Sequence, residues 1–314
     1  MTPKQTFSNN DPSATPNLSR LFNRATLDWL MTPGSKRSPQ PTPVAEHIDP
    51  GPVSEPSVTW LGHASSLIAL GGLRLITDPV LSPRLGPTIK RRAPVPIEPE
   101  ALPDIDLVLI SHNHRDHLDE PTIRRIEARF TPHYITPLGV DAYLTKWGVS
   151  PERVATLGWW EAIRPTPERS DLQITLVPAQ HWSQRGLLDR NTSLWGGFVL
   201  EHPTHTVYFA GDSGYCDDFK EIGARFPNID TGLIPIGAYE PRWFMRQQHM
   251  NPEEAGQVML DVGARRLIPI HWGTYKLTTE PFDEPPARLR AWGESNDIDP
   301  ERLAILPIGG RLTL

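Results

Sequence analysis

Sulfur chemistry is nearly absent from this chain. Its 314 residues include one cysteine, Cys216, which excludes an intrachain disulfide framework and fits a reducing compartment. Excess positive charge is missing too. Lys and Arg total 31 against 37 Asp and Glu, a formal net charge of −6, so no nucleic-acid partner is expected. No stretch approaches the roughly 20 apolar residues that a membrane-spanning helix needs. Met1 to Ser19 has no apolar h-region, so no secretory leader is expected there. These absences point to a soluble, cytoplasmic protein. A hydrophobic content of 38% and a charged content of 22% suffice for a real core without staples.

Proline is plentiful, at 35 residues, and it crowds the first fifty-odd positions. Residues 1–17, rich in Asn, Ser, Thr and Pro, read as a loosely draped arm. Leu18, Leu21, Phe22, Ala25 and Trp29 then recur at helical spacing, predicting one short amphipathic helix that stops near Pro33-Gly34. The prolines of residues 33–56 predict extended chain. The division is therefore 1–56, a Pro-rich arm whose helix packs on the main body, and 57–314, the main domain. Contact with a membrane surface or a homodimer partner is the alternative use of that helix.

From Ser57 onward the pattern becomes strand, turn, strand. Val58 to Leu61, Ser66 to Leu70 and Leu73 to Thr77 read as strands, with Gly71-Gly72 as a hairpin turn. Ile105 to Ile110 is a continuous apolar run, as expected of a strand buried on both faces. Asp119 is placed to cap a helix with Pro121 in its first turn. Ile174 to Val177, Val207 to Ala210 and Leu267 to Ile270 are further apolar strands. A helix from Pro252 to Val262 has Asn251 as its cap and Glu254 set for a capping box. Interleaved strands and helices imply a mixed class with helices covering sheets.

The strongest chemical signal is the run Ser111-His-Asn-His-Arg-Asp-His-Leu-Asp119, directly after the buried apolar strand. It supplies His112, His114, Asp116 and His117, and imidazole and carboxylate are ligand types that zinc accepts. Four such groups within six residues cannot all face one tetrahedral ion without backbone strain, but they can serve two adjacent ions. Further ligands are then required. His181, Asp212 and His271 each follow an apolar strand, where functional groups gather in such sheets. His63 and His249 are intermediate cases; His47, His133, His202 and His205 lie in polar contexts and read as surface residues.

The set His112-x-His114-x-Asp116-His117, His181, Asp212 and His271 resembles the metallo-β-lactamase superfamily of binuclear metal hydrolases. Thr59-Trp-Leu-Gly-His-Ala64, Thr77-Asp-Pro-Val80, Ala179-Gln-His-Trp-Ser-Gln-Arg185, Phe209-Ala-Gly-Asp-Ser-Gly-Tyr215, Gln248-His249 and His271-Trp-Gly-Thr274 narrow the likeness. They resemble the N-acyl-phosphatidylethanolamine-hydrolysing phospholipase D branch and its bacterial relatives, over roughly residues 57–309.

The resemblance implies an α+β fold, a four-layer αββα sandwich with metals at one edge between the sheets. It implies two Zn2+ per chain, with Mn2+ or Fe2+ as alternatives. One ion falls to His112, His114 and His181, the other to Asp116, His117 and His271, with Asp212 bridging. Two divalent cations, two aspartates and a bridging hydroxide leave a charge of about +1, favourable for an anionic phosphodiester. Asp116, Asp212 and His249 are the implied catalytic groups. Asp78 would orient a ligand histidine. Gln248, Tyr239, Arg242 and Trp182 are the implied substrate contacts, Arg242 as a cationic phosphate grip among aromatic walls. Cys216 is expected to be a small hydrophobe without a chemical role. The expected function is hydrolysis of a lipid or small phosphodiester, releasing phosphatidic acid and an N-acylethanolamine-like product, with peripheral membrane contact. The alternatives are a lactonase or ester hydrolase akin to the ascorbate-6-phosphate lactonases, and a metal-stabilised binding protein without turnover.

Overall fold

The computed structural model describes residues 6–12, 41–165 and 170–314. The helix expected over Leu18 to Trp29 lies outside the described residues. Two mixed sheets stack face to face. The first runs, edge to edge, through Arg311–Thr313, Ser57–Gly62, Ser65–Leu70, Leu73–Thr77, Leu107–Leu109, His133–Pro137 and Val154–Leu157. The second runs through Arg266–Ile270, Thr231–Pro235, Thr206–Phe209, Gly197–Glu201, Gln173–Val177 and Ala162–Ile163.

Alternation along the strands explains the layering. In Leu107–Leu109, Leu107 and Leu109 join the core between the sheets, while Val108 faces the other way onto Ile123 and Ile126 of the helix Glu120–Arg129. Leu75 and Ile76 divide between the same two cores. The helices Asp218–Arg225, Pro252–Asp261 and Glu284–Ser295 contribute Phe219, Ile222, Ala255, Val258, Met259 and Leu289 to the core shared with the second sheet. The result is the expected α+β sandwich of helix, sheet, sheet and helix layers.

Local signals act as anticipated at two helices. Asp119 accepts from the Thr122 N–H with proline in the first turn, and Asn251 with Glu254 forms a full capping box. Antiparallel pairing in each sheet gives way to parallel pairing near the site. Leu73–Thr77 runs parallel to Leu107–Leu109, and Thr206–Phe209, Thr231–Pro235 and Arg266–Ile270 are mutually parallel. Parallel neighbours release their C-terminal loops at the same end, which is what collects the polar residues into one site.

Candidate metal centre

The His112–His117 loop is fixed by a buried carboxylate from the neighbouring strand. Asp78 follows Leu73–Thr77 with a positive φ of 34°, sparsely populated for a residue with a side chain. Its Oδ1 accepts from the Ser111 N–H at 2.7 Å, and its Oδ2 accepts from the Ser111 hydroxyl at 2.5 Å and from His117 Nδ1 at 2.6 Å. Asp78 therefore orients His117, leaving Nε2 to face the site. Arg185 braces the same loop, donating to the carbonyls of Asn113 (3.1 Å) and Leu118 (2.6 Å). Gly211, at φ 62°, lets the turn before Asp212 approach Ser111; a Cβ there would stand 2.8 Å from Ser111 Cβ.

Three imidazoles converge on one point. His112 Nε2 lies 2.8 Å from His114 Nδ1, which lies 3.2 Å from His181 Nε2. The far nitrogens of two of them are engaged: His112 Nδ1 with Ser111 Oγ (2.9 Å) and His181 Nδ1 with the Gln248 carbonyl (3.0 Å). A second group gathers beside it. Asp116 Oδ2 lies 3.7 Å from His117 Nε2, 3.6 Å from His271 Nε2 and 3.1 Å from His63 Nε2. Asp212 stands between the two groups, with oxygens 3.1 Å from His117 Nε2, 3.2 Å from His271 Nε2 and 3.9 Å from His181 Nε2.

Burial divides the charge unevenly. It holds His112 and His181 well below the ordinary imidazole range and His114 near 4, so these rings are neutral and offer lone pairs. Burial also opposes charge on His117 and His271. At both, however, the carboxylates of Asp212 and Asp116 outweigh it, raising His117 well above its ordinary value and His271 to about 9. The two aspartates stay ionised despite burial because His117 faces them.

This donor set fits divalent ions. His114 Nδ1 lies within hydrogen-bond distance of two other nitrogens of neutral rings, and the three have too few protons to share. His117 Nε2, His271 Nε2 and Asp212 Oδ1 are buried without a hydrogen-bond partner. Two adjacent His/Asp clusters able to hold divalent ions are thus present: His112, His114 and His181; and His63, Asp116, His117 and His271.

The remaining expected site residues divide. His249 sits against both clusters, its ring 5.2 Å from that of His181 and 5.4 Å from that of His271, with Nδ1 3.8 Å from Asp212. Trp182 packs against His114 in a T-shaped arrangement, with ring centroids 4.4 Å apart. Gln248 acts on His181 through its main chain, and its side-chain amide donates to the Phe244 carbonyl at 3.4 Å. Arg242 differs from the free cationic grip expected of it. Its guanidinium donates to both oxygens of Glu254 at 2.7 Å and to the His249 carbonyl at 2.9 Å, so it holds His249 in place. Tyr239 is fully buried and its hydroxyl donates to Glu284 at 2.7 Å, because the adjacent helix Glu284–Ser295 supplies that acceptor. The Cys216 thiol is pushed up to about 12 by burial and is not a nucleophile.

Three contributions were not foreseen. His63 joins the second cluster. Asn9, in the arm expected to drape loosely, accepts from the His181 N–H at 3.0 Å, while Phe7 N–H donates to the Asn191 carbonyl at 2.9 Å. Thr42, also in the arm, donates to the Gly273 carbonyl at 2.7 Å, two residues beyond His271. Only the Gly-His-Ala turn at His63 carried a signal, since a histidine beside a turn glycine is unusual in an apolar hairpin.

Comparison with known proteins adds lineage to geometry. Residues 73–272 match the model of the beta-lactamase superfamily domain. An uncharacterised protein of Mycobacterium tuberculosis (strain ATCC 25618 / H37Rv) is 39% identical over 301 residues, 93% of this chain and 79% of that one. The N-acyl-phosphatidylethanolamine-hydrolyzing phospholipase D 1 of Caenorhabditis elegans is 42% identical over 243 residues, 74% of this chain and 68% of that one. Among solved structures, an isothiocyanate hydrolase from Delia radicum gut bacteria has the same fold, with a TM-score of 0.66 at 18% identity, covering 82% of this chain and 98% of that one.

Proposed function

The chain belongs to the metallo-β-lactamase superfamily, and from that premise we propose that it hydrolyses the headgroup phosphodiester of an N-acylated phosphatidylethanolamine or a related lipid. Water attacks phosphorus, the bond to the N-acylethanolamine oxygen breaks, and that oxygen takes a proton from the water. The products are phosphatidic acid and an N-acylethanolamine. The observation that carries the reading is Asp212, whose carboxylate faces the nitrogens of both clusters and so joins them into one binuclear site.

Zn2+ is the ion proposed for both positions; a pair of divalent ions supplies hydroxide near neutral pH and positive charge for the phosphoryl oxygens. The chain's own residues do the rest. Asp78 and the Gln248 carbonyl fix the ring orientations of His117 and His181. His249, neutral because burial brings it to about 4, is placed to donate an N–H to a phosphate oxygen. Arg242 keeps it there.

A lipid substrate draws support from two surfaces beside the site. A cavity of about 500 Å3 is walled by Pro43, Trp272, Phe282, Pro286 and Leu306, with Arg290 at hand, and Trp272 directly follows His271. Its walls suit an acyl chain. Leu187 and Leu188 are 95% and 92% exposed on the loop after His181. Arg190 stacks on Trp182 nearby, 4.7 Å from its ring, so apolar, aromatic and cationic groups meet as they do at membrane interfaces.

The test is direct. Purified protein loaded with zinc should release N-acylethanolamine from N-acyl-phosphatidylethanolamine in mixed micelles, and His114→Ala and Asp212→Ala should each lower the rate at least a thousandfold. Turnover of a sugar lactone with no action on the phosphodiester, or full activity in either variant, would overturn the reading.

A further inference from the structure

His63 belongs to the second cluster by position, yet the resemblance gives it no ligand role. His63 forms the turn between the strands Ser57–Gly62 and Ser65–Leu70, with φ at 52°, in the left-handed region that residues with a side chain seldom occupy. Three hydrogen bonds hold it in that conformation. Its N–H donates to Thr274 Oγ1 (2.8 Å), and its carbonyl accepts from the His271 N–H (2.8 Å) and from Trp60 Nε1 (2.9 Å). The turn is thus fastened to the loop that carries His271.

The ring is as constrained as the backbone. It packs on His271 with centroids 3.9 Å apart, and its side chain is 2% exposed. Nε2 stands 3.1 Å from Asp116 Oδ2, nearer than either His117 or His271 comes to that oxygen. Nδ1 is buried with no partner among the described residues. An ionised carboxylate only accepts, so the nitrogen facing it must carry the proton. Nδ1, with no acceptor to donate to, is then the bare nitrogen of the neutral ring.

We infer that His63 is a positioning residue of the second cluster: its Nε2–H, donated to Asp116 Oδ2, fixes the carboxylate that this cluster offers to an ion. Asp116 lies in a short loop and has a partly exposed side chain, so without that donor it can rotate away from His117 and His271. Groups that hold a metal-binding carboxylate or imidazole typically change metal affinity by 10- to 100-fold when removed. The inference rests on the reading that both clusters bind ions.

The experiment measures each ion's affinity by chelator competition in the full chain, with melting temperature recorded in chelator to register damage to the fold. His63→Leu and His63→Gln fill similar space at the same strained φ, but only Gln can donate to Asp116. His63→Asn tolerates the φ and is too short to reach, so it serves if the leucine variant fails to fold. The expected result is that His63→Leu and His63→Asn bind the first ion as the wild type does and the second at least tenfold more weakly, while His63→Gln stays within about threefold. Two ions held at wild-type affinity by His63→Leu would overturn the inference alone, as would a glutamine variant as weak as the leucine one. A wild-type chain that binds a single ion would overturn the two-ion reading and this inference with it.

Discussion

In the second cluster and at Asp212 beside it, two carboxylates face three buried imidazoles. Asp116 and Asp212 stay ionised there, and in the metal-free chain they keep His271 protonated up to about pH 9 and raise His117 well above the ordinary imidazole range. A ligand histidine must be neutral, so an ion entering this cluster displaces protons. The sign follows: affinity for the second ion rises as pH is raised toward about 9, and binding at neutral pH releases protons. Titration calorimetry at pH 7 in buffers of different ionisation enthalpy should report between one and two protons released. No release would mean that these rings do not bind the ion. At this scale legibility depended on sequence distance. His112, His114, Asp116 and His117 fall within six consecutive positions, and that crowding announced them. His63 meets an Asp116 that lies 53 residues away, and Asn9 meets a His181 that lies 172 away, so neither partnership has a local signature.

Elements with continuous apolar runs were equally readable. Leu107–Leu109 and Gln173–Val177 are buried almost throughout and lie within their expected limits or a residue of them. Val154–Leu157 was missed because all but its last residue are only partly buried, so it has neither the unbroken apolar run nor the clean alternation of a strand. The helix Glu284–Ser295, not among the expected elements, carries Pro285 and Pro286 in its first turn, where proline is tolerated. The loop that carries Leu187 and Leu188 is held by its own carboxylate, since Asp189 accepts from the Gly186 N–H at 2.8 Å and from the Tyr143 hydroxyl at 2.9 Å. Two leucines displayed on a braced turn gain about 3 kcal/mol or more on entering an apolar phase, over a hundredfold in binding. The double variant Leu187→Asp, Leu188→Asp should therefore lower affinity for phosphatidylcholine vesicles at least tenfold in a sedimentation assay while leaving cleavage of a water-soluble phosphodiester unchanged. Equal vesicle binding would remove this loop from the account of a lipid substrate.

On the scale of the whole molecule, parallel strands in both sheets end at a common edge. The first sheet delivers Asp78 and the His112–His117 loop there, and the second delivers His181, Asp212 and His271. The αββα arrangement followed from the resemblance carried by those residues, whereas composition alone reached only a mixed class. The arm was the least legible part: its Asn9 and Thr42 are polar residues in a polar segment, and only the folded chain brings them against the loops of His181 and His271. Everything proposed for this protein depends on two ions lying side by side at that edge. Anomalous diffraction at the zinc absorption edge from zinc-loaded crystals tests this most directly. Two peaks should stand on either side of Asp212, one among His112, His114 and His181, the other among Asp116, His117 and His271. A single peak, or zinc bound elsewhere, would contradict the account.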